Sequence, residues 1–143
     1  MNKKGFTLVE VLVVLVLISL ITVIVVPNVQ KIAKESKVKL CTSKLELVEE
    51  AISLWTQDNY KCYTNNSCSE LTNCTTENNI TTCSSTFGTL ASKGIINYDK
   101  QENAEKIVIN PLNNESINTE TITIKYDSKN KSVEVTFPEL CKF

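Results

Sequence analysis

The sequence predicts an α+β fold in which one long N-terminal helix, its first half able to span a membrane, packs against a small antiparallel β-sheet. Three observations lead there. Residues 6–26 read FTLVEVLVVLVLISLITVIVV, an apolar run interrupted by one carboxylate, Glu10. Beyond it, apolar residues recur at helical spacing as far as Trp55. Near the C-terminus, two segments alternate apolar and polar residues around a stretch of turn chemistry.

The apolar run comes first. Its residues, at about 1.5 Å rise each, extend roughly 31 Å as a helix, close to the ~30 Å hydrocarbon core of a bilayer. Lys3 and Lys4 precede it and hold the N-terminus on the cytoplasmic side, so the chain after Val26 is expected outside. A cleaved secretory signal fits poorly. Its apolar region is ~7 to 15 residues long and ends at small residues, whereas this run continues to Val26 and meets Pro27, Asn28 and Val29. A plain anchor leaves Glu10 unexplained, because an acidic residue in a spanning helix costs on the order of 2.5 to 3.5 kcal/mol at mid-bilayer. Glu10 therefore needs a cationic partner.

The stretch KKGFTLVEVLVVLVLISL resembles the class III signal and N-terminal helix of type IV pilins and pseudopilins. The resemblance implies a pilin-like fold and a specific route. A prepilin peptidase would cut on the cytoplasmic side after Gly5, and the new N-terminal residue, Phe6, would be N-methylated. Glu10 then becomes the fifth mature residue, and its implied partner is the Phe6 amine of a neighbouring subunit during assembly, a pairing that matters most at low dielectric. Pro27 falls where pilins carry a helix-disrupting proline. The expected organisation is a leader at 1–5, a transmembrane and assembly helix at 6–27, and a globular domain at 28–143.

Within that domain the helix is expected to continue to about residue 57. Val38, Cys41, Leu45, Val48, Ile52 and Trp55 are spaced three or four apart and share one face, while Lys39, Lys44, Glu46, Glu49 and Glu50 lie largely away from it. A second apolar edge, Leu40, Leu47, Ala51 and Leu54, suits packing against neighbouring helices in a fibre. The acidic residues Glu46, Glu49 and Glu50 read as a solvated or inter-subunit face.

Residues 56–86 turn to Asn, Thr, Ser and Cys without apolar periodicity and are expected as a long Cys-rich loop; by resemblance this is the pilin variable loop. Loops beyond about 12 to 15 residues are uncommon in a compact domain unless functional or tied down. Triplets beginning at Asn65, Asn73, Asn79 and Asn114 match the N-glycosylation pattern, as chance permits in a chain this rich in Asn and Thr. Phe87, Leu90 and Ala91 before Gly94 suggest a short helix with a glycine stop. Three strands are expected at 105–110 (EKIVIN), 120–126 and 132–137, the last two alternating about turn residues 127–131. The resemblance adds one departure: secretion pseudopilins usually carry Pro-Trp-Gly before their last strands, where this chain has Asn110-Pro111-Leu112. That favours a pilus subunit.

Composition limits the chemistry. The net charge is -1, and loss of Lys3 and Lys4 with a leader would make it -3, a poor general binder of nucleic acid. All 15 basic residues are lysine and there is no histidine, so imidazole acid–base catalysis and guanidinium phosphate clamps are both missing. With no Gly-rich phosphate loop or G-x-S-x-G elbow either, the chain is not expected to be an enzyme.

Six cysteines, Cys41, Cys62, Cys68, Cys74, Cys83 and Cys141, lie in the part expected outside the membrane and suggest a disulfide framework. Cys41 sits on the helix face expected to be buried and Cys141 follows the last strand, so a bridge between them would tie the tail to the helix. The other four could staple the loop, sequentially as Cys62 with Cys68 and Cys74 with Cys83. Zinc held by cysteine thiolates is the rival, although the spacings are looser than usual zinc motifs; a mixture or free thiols is the third possibility. No other metal or cofactor is expected.

The favoured reading is a structural subunit of a type IV pilus, serving adhesion, motility or biofilm. It would sit in the cell membrane as a single-pass precursor and pass into an extracellular filament. Its expected partners are copies of itself or other pilins, the prepilin peptidase, the assembly machinery and membrane lipid. The alternative is a pseudopilin of a type II secretion or DNA-uptake system, and less favoured is a membrane-anchored metal-binding protein.

Overall fold

The computed structural model describes residues 7–65 and 67–142. The chain forms two compact units, Met1–Ser36 and Lys37–Phe143. Helix α1, Leu8–Asp58, contains both apolar segments read from the sequence.

In the second unit, α1 is followed by α2 (Lys61–Asn65), β1 (Thr72–Glu77), β2 (Ile80–Thr86), α3 (Phe87–Ser92), β3 (Lys100–Glu102), β4 (Glu105–Ile107), β5 (Thr121–Asp127) and β6 (Ser132–Thr136). The main sheet has four antiparallel strands in the order β1-β2-β5-β6, and β3 with β4 forms a separate two-stranded ribbon. The architecture is therefore α+β, a long helix packed on a small antiparallel sheet.

The core lies between the helix and one face of that sheet. Cys41, Val48 and Ile52 of α1 are buried and Leu45 and Trp55 half-buried, so the stripe at three- and four-residue spacing is the face that packs. Opposite them, β5 contributes Ile122, Ile124 and Tyr126 and β6 contributes Val135, each fully or nearly buried. Alternation puts these residues on one side of the pleat and leaves the polar residues between them outward. Burying an aliphatic side chain of this size contributes roughly 1.5 to 3 kcal/mol. Lys44 fixes the helix laterally, pairing with Asp99 and donating to the Ile109 carbonyl at 2.6 Å, while the Ile109 N–H donates to Asp99 at 2.7 Å.

Helix α3 forms where the Phe87, Leu90 and Ala91 pattern places it, and all three are fully buried. Thr86 caps it, its hydroxyl accepting from the Thr89 N–H at 3.2 Å. Gly94 ends it with φ +75°, a left-handed conformation that costs glycine little.

Two expectations need correction. Residues 56–86 are not one long loop: α2, β1 and β2 lie there, and β2 is a central strand. Its inward residues are Thr81, Cys83 and Ser85, so the buried face is built from small polar side chains and a half-cystine. The hydroxyls are satisfied: Ser85 donates to the Glu70 carbonyl at 2.7 Å and Thr81 shares a 3.0 Å bond with Thr76. Asn78 and Asn79 close the β1–β2 hairpin, both with positive φ, as a two-residue type I′ turn requires. The second correction concerns residues 105–110. Only Glu105–Ile107 is strand, and it pairs with β3 outside the main sheet. Beyond it the chain pairs with residues 115–117 instead: Ile109 bridges Ser116, the Ile117 N–H donates to the Val108 carbonyl and the Asn110 N–H to the Glu115 carbonyl, both at 2.9 Å, while the Asn118 side chain takes the Val108 N–H at 2.8 Å.

Candidate assembly site

The first unit is defined by what covers it least. Within α1, the large apolar side chains described between Leu8 and Ile32 are exposed, Leu8 at 82 % and Val23 at 76 %. A contiguous apolar surface of that extent has no stable existence in water; it calls for lipid or other protein. By length and hydropathy no single straight helix among the described residues qualifies as a membrane span, whereas Leu8–Val23 and Asn28–Asp58 taken together across residues 24–27 do.

At the start of α1, Thr7 and Glu10 form a reciprocal capping box. The Glu10 carboxylate accepts from the Thr7 N–H at 2.9 Å and from the Thr7 hydroxyl at 3.1 Å, and the Glu10 N–H donates back to that hydroxyl at 3.3 Å. Two helix-end donors are thereby satisfied. The Thr-x-x-Glu spacing ahead of an apolar run carries this signal, and Thr7 is the residue the sequence reading passed over. The box holds a carboxylate one turn inside the helix in a fixed position. Gly5 and Phe6, the expected cleavage and methylation residues, lie outside the described residues. Pro27 lies within α1 as assigned.

The second unit leaves one more apolar edge open. Leu40, Leu47 and Leu54, seven residues apart, are 59 to 67 % exposed, while Ala51 packs half-buried against the core. Glu46, Glu49 and Glu50 are exposed.

The cysteines form three disulfides. Cys41–Cys141 joins α1 to the C-terminal tail, with Cα atoms 5.6 Å apart and a sequence separation of 100. Cys62–Cys68 closes the segment after α2 and Cys74–Cys83 crosses from β1 to β2, at Cα separations of 5.2 and 4.1 Å. Among the described residues no cysteine is free and no group of three or more His, Cys, Asp or Glu side chains is placed to hold a metal. Sulfurs paired in disulfides are not thiolate donors, so the zinc alternative finds no ligand set in this arrangement.

The end of the domain reached by α1 is tied by side-chain contacts. The buried Thr56 hydroxyl and the Tyr63 phenol bond at 3.0 Å, and the Tyr63 ring lies 5.4 Å from that of Tyr126. Burial pushes the Tyr63 phenol up to about 12, with the Thr56 hydrogen bond acting the other way. In the β5–β6 turn, the Asp127 carboxylate accepts from the backbone N–H groups of Lys129 and Asn130 at 2.8 and 3.1 Å. Those bonds, led by the one from Asn130, hold it below the usual carboxylate range.

Searches of curated proteins and of solved structures gave no match to the chain. A family profile does match at the N-terminus, over the segment that holds Lys3, Lys4, Gly5 and Glu10. Residues 1–26 carry the prokaryotic N-terminal methylation motif, the class III signal of type IV pilins and pseudopilins.

Proposed function

We propose that this chain is the structural subunit of an extracellular type IV pilus, trimmed after Gly5, methylated at Phe6 and stacked through its N-terminal helix. The observation that carries the reading is the methylation motif at residues 1–26, which implies a membrane-held precursor, processing by a prepilin peptidase and assembly by pilus machinery. The exposed apolar surface of α1 supports it, since lipid before assembly and neighbouring helices after it would each cover that surface. Glu10 supports it too: a carboxylate fixed by the Thr7 box would meet the Phe6 amine of an incoming subunit without having to be ordered first. Asn110-Pro111-Leu112, in place of Pro-Trp-Gly, favours the pilus over the secretion pseudopilin.

Glu10→Ala tests the assembly role. The variant should be trimmed and methylated like the wild type yet give far fewer filaments, because the lost carboxylate acts at subunit recruitment. Normal filament numbers by electron microscopy would remove Glu10 from the assembly contact.

A further inference from the structure

A cleft of about 530 Å³ opens where the end of α1, α2 and the β5–β6 turn meet, lined by Gln57, Tyr60, Thr64, Tyr126, Ser128 and Lys131. Its size falls within the ~300 to 1,000 Å³ of small-molecule sites. We propose that this cleft binds an acidic saccharide, one or two sugar units carrying a carboxylate.

The cleft separates two kinds of polar group. Those that build its walls are engaged within the fold. Ser128 donates from both its N–H and its hydroxyl to the Asn79 carbonyl at 3.0 Å, and Thr64 donates to the Lys61 carbonyl at 3.1 Å. Adjoining residues are tied as well, by the Thr56–Tyr63 bond, the Tyr63–Tyr126 ring contact and the Cys62–Cys68 bridge. Other groups of the lining are uncommitted: among the described residues the Gln57 amide, the Tyr60 and Tyr126 phenols and the Lys131 ammonium make no side-chain hydrogen bond or ion pair. A preformed cleft with uncommitted groups in its lining needs little reorganisation to bind, which favours affinity.

The free groups specify the ligand. Tyr60, 45 % exposed, offers a flat ring to the C–H face of a sugar. Gln57 both donates and accepts, and the phenols and hydroxyls add further partners for a polyol. Lys131 supplies the cation among the described lining residues, and it forms no ion pair with the Asp127 carboxylate, which accepts from the backbone N–H groups of Lys129 and Asn130. A neutral sugar would leave Lys131 unpaired; a carboxylated one pairs it.

Binding is read on the isolated chain and does not depend on filament formation, so failure here and failure of the pilus reading are separate results. The experiment uses the full-length protein in micelles of an amine-oxide detergent, which has no sugar headgroup, titrated with methyl glucuronide, methyl galacturonide and their neutral methyl glycosides by isothermal calorimetry. At least one uronide should bind saturably, at least about tenfold more tightly than its neutral twin. Lys131→Gln should erase that preference and leave the neutral sugar unchanged, while Tyr60→Ala should weaken both by about tenfold or more, an effect of ~1.4 kcal/mol. Among the described residues both side chains are free of intramolecular bonds, and an unchanged denaturation midpoint followed by Trp55 fluorescence verifies folding. No saturable binding of any uronide, or binding that both substitutions leave unchanged, would overturn the proposal.

Discussion

Replacing Cys41 and Cys141 together by alanine removes the one covalent link between α1 and the C-terminal tail, and the structure sets the expected cost. The bridge closes a loop with a sequence separation of 100, for which the chain-entropy treatment gives ~4.7 kcal/mol of stabilisation through the unfolded state. The two smaller bridges lie inside that loop and shorten its free path by roughly 13 residues. Because the dependence is logarithmic, this changes the figure by only about 0.1 kcal/mol. Separations of 6 and 9 give ~2.2 and ~2.6 kcal/mol for Cys62–Cys68 and Cys74–Cys83. Loss of Cys41–Cys141 should thus cost about 2 kcal/mol more than loss of Cys62–Cys68, a large share of the ~5 to 15 kcal/mol typical of a folded domain. The paired comparison is clean in one respect: Cys41 and Cys62 are 2 and 6 % exposed, so the packing lost on truncation is similar. Denaturant titration of the full chain in micelles, followed by fluorescence of Trp55, the only tryptophan, measures both. If the Cys62→Ala/Cys68→Ala protein is as destabilised as the Cys41→Ala/Cys141→Ala protein, loop length does not govern the contribution and the argument fails.

Gly5→Val should block trimming, because a branched side chain at the residue before the cut obstructs the peptidase; N-terminal sequencing that finds the chain still starting at Phe6 would reject the assigned cleavage site. Tyr63 makes stability fall on the alkaline side. Its folded value near 12 exceeds the ordinary ~10, so the folded protein binds the extra proton between those values and the contribution, complete below pH 10, is lost as pH rises toward 12. The near-ultraviolet phenolate absorbance should retain a component ionising near pH 12 that Tyr63→Phe removes; its persistence in that variant would assign it elsewhere. Asp127 acts oppositely, its lowered value giving stability that is present above the ordinary carboxylate range and lost as pH falls through the folded value. Asp127→Asn should flatten the acid limb of the stability profile, and an unchanged limb would show that the turn does not hold the charge.

The sequence was most legible where burial and apolarity coincide. The α1 stripe, α3, β5 and β6 all carry apolar residues at the period of their own element, and each formed within a residue or two of its expected bounds. β1 and β2 were hidden because their inward positions are Thr, Cys and Ser, whose burial depends on hydrogen bonds and a disulfide that no apolar count detects. The Asn78-Asn79 turn was the available signal, being a pair suited to two positive-φ positions between strands. EKIVIN misled for the converse reason: its apolar residues are β-branched and suit a strand, yet after Ile107 the chain bonds to residues 115–117, with Ile109 bridging Ser116, and is no part of the main sheet. At the N-terminus, Glu10 stood out by its cost in an apolar run, while Thr7 escaped notice because a threonine there costs nothing.

The central claim is that this chain leaves the membrane as a processed filament subunit. Surface filaments sheared from cells that express it, analysed by intact and N-terminal mass spectrometry, test that directly. The account predicts that the chain is present in the filaments, begins at Phe6, and carries a methyl group on that residue's nitrogen. Filaments that lack the chain, with the full-length protein starting at Met1 retained in the membrane, would contradict it.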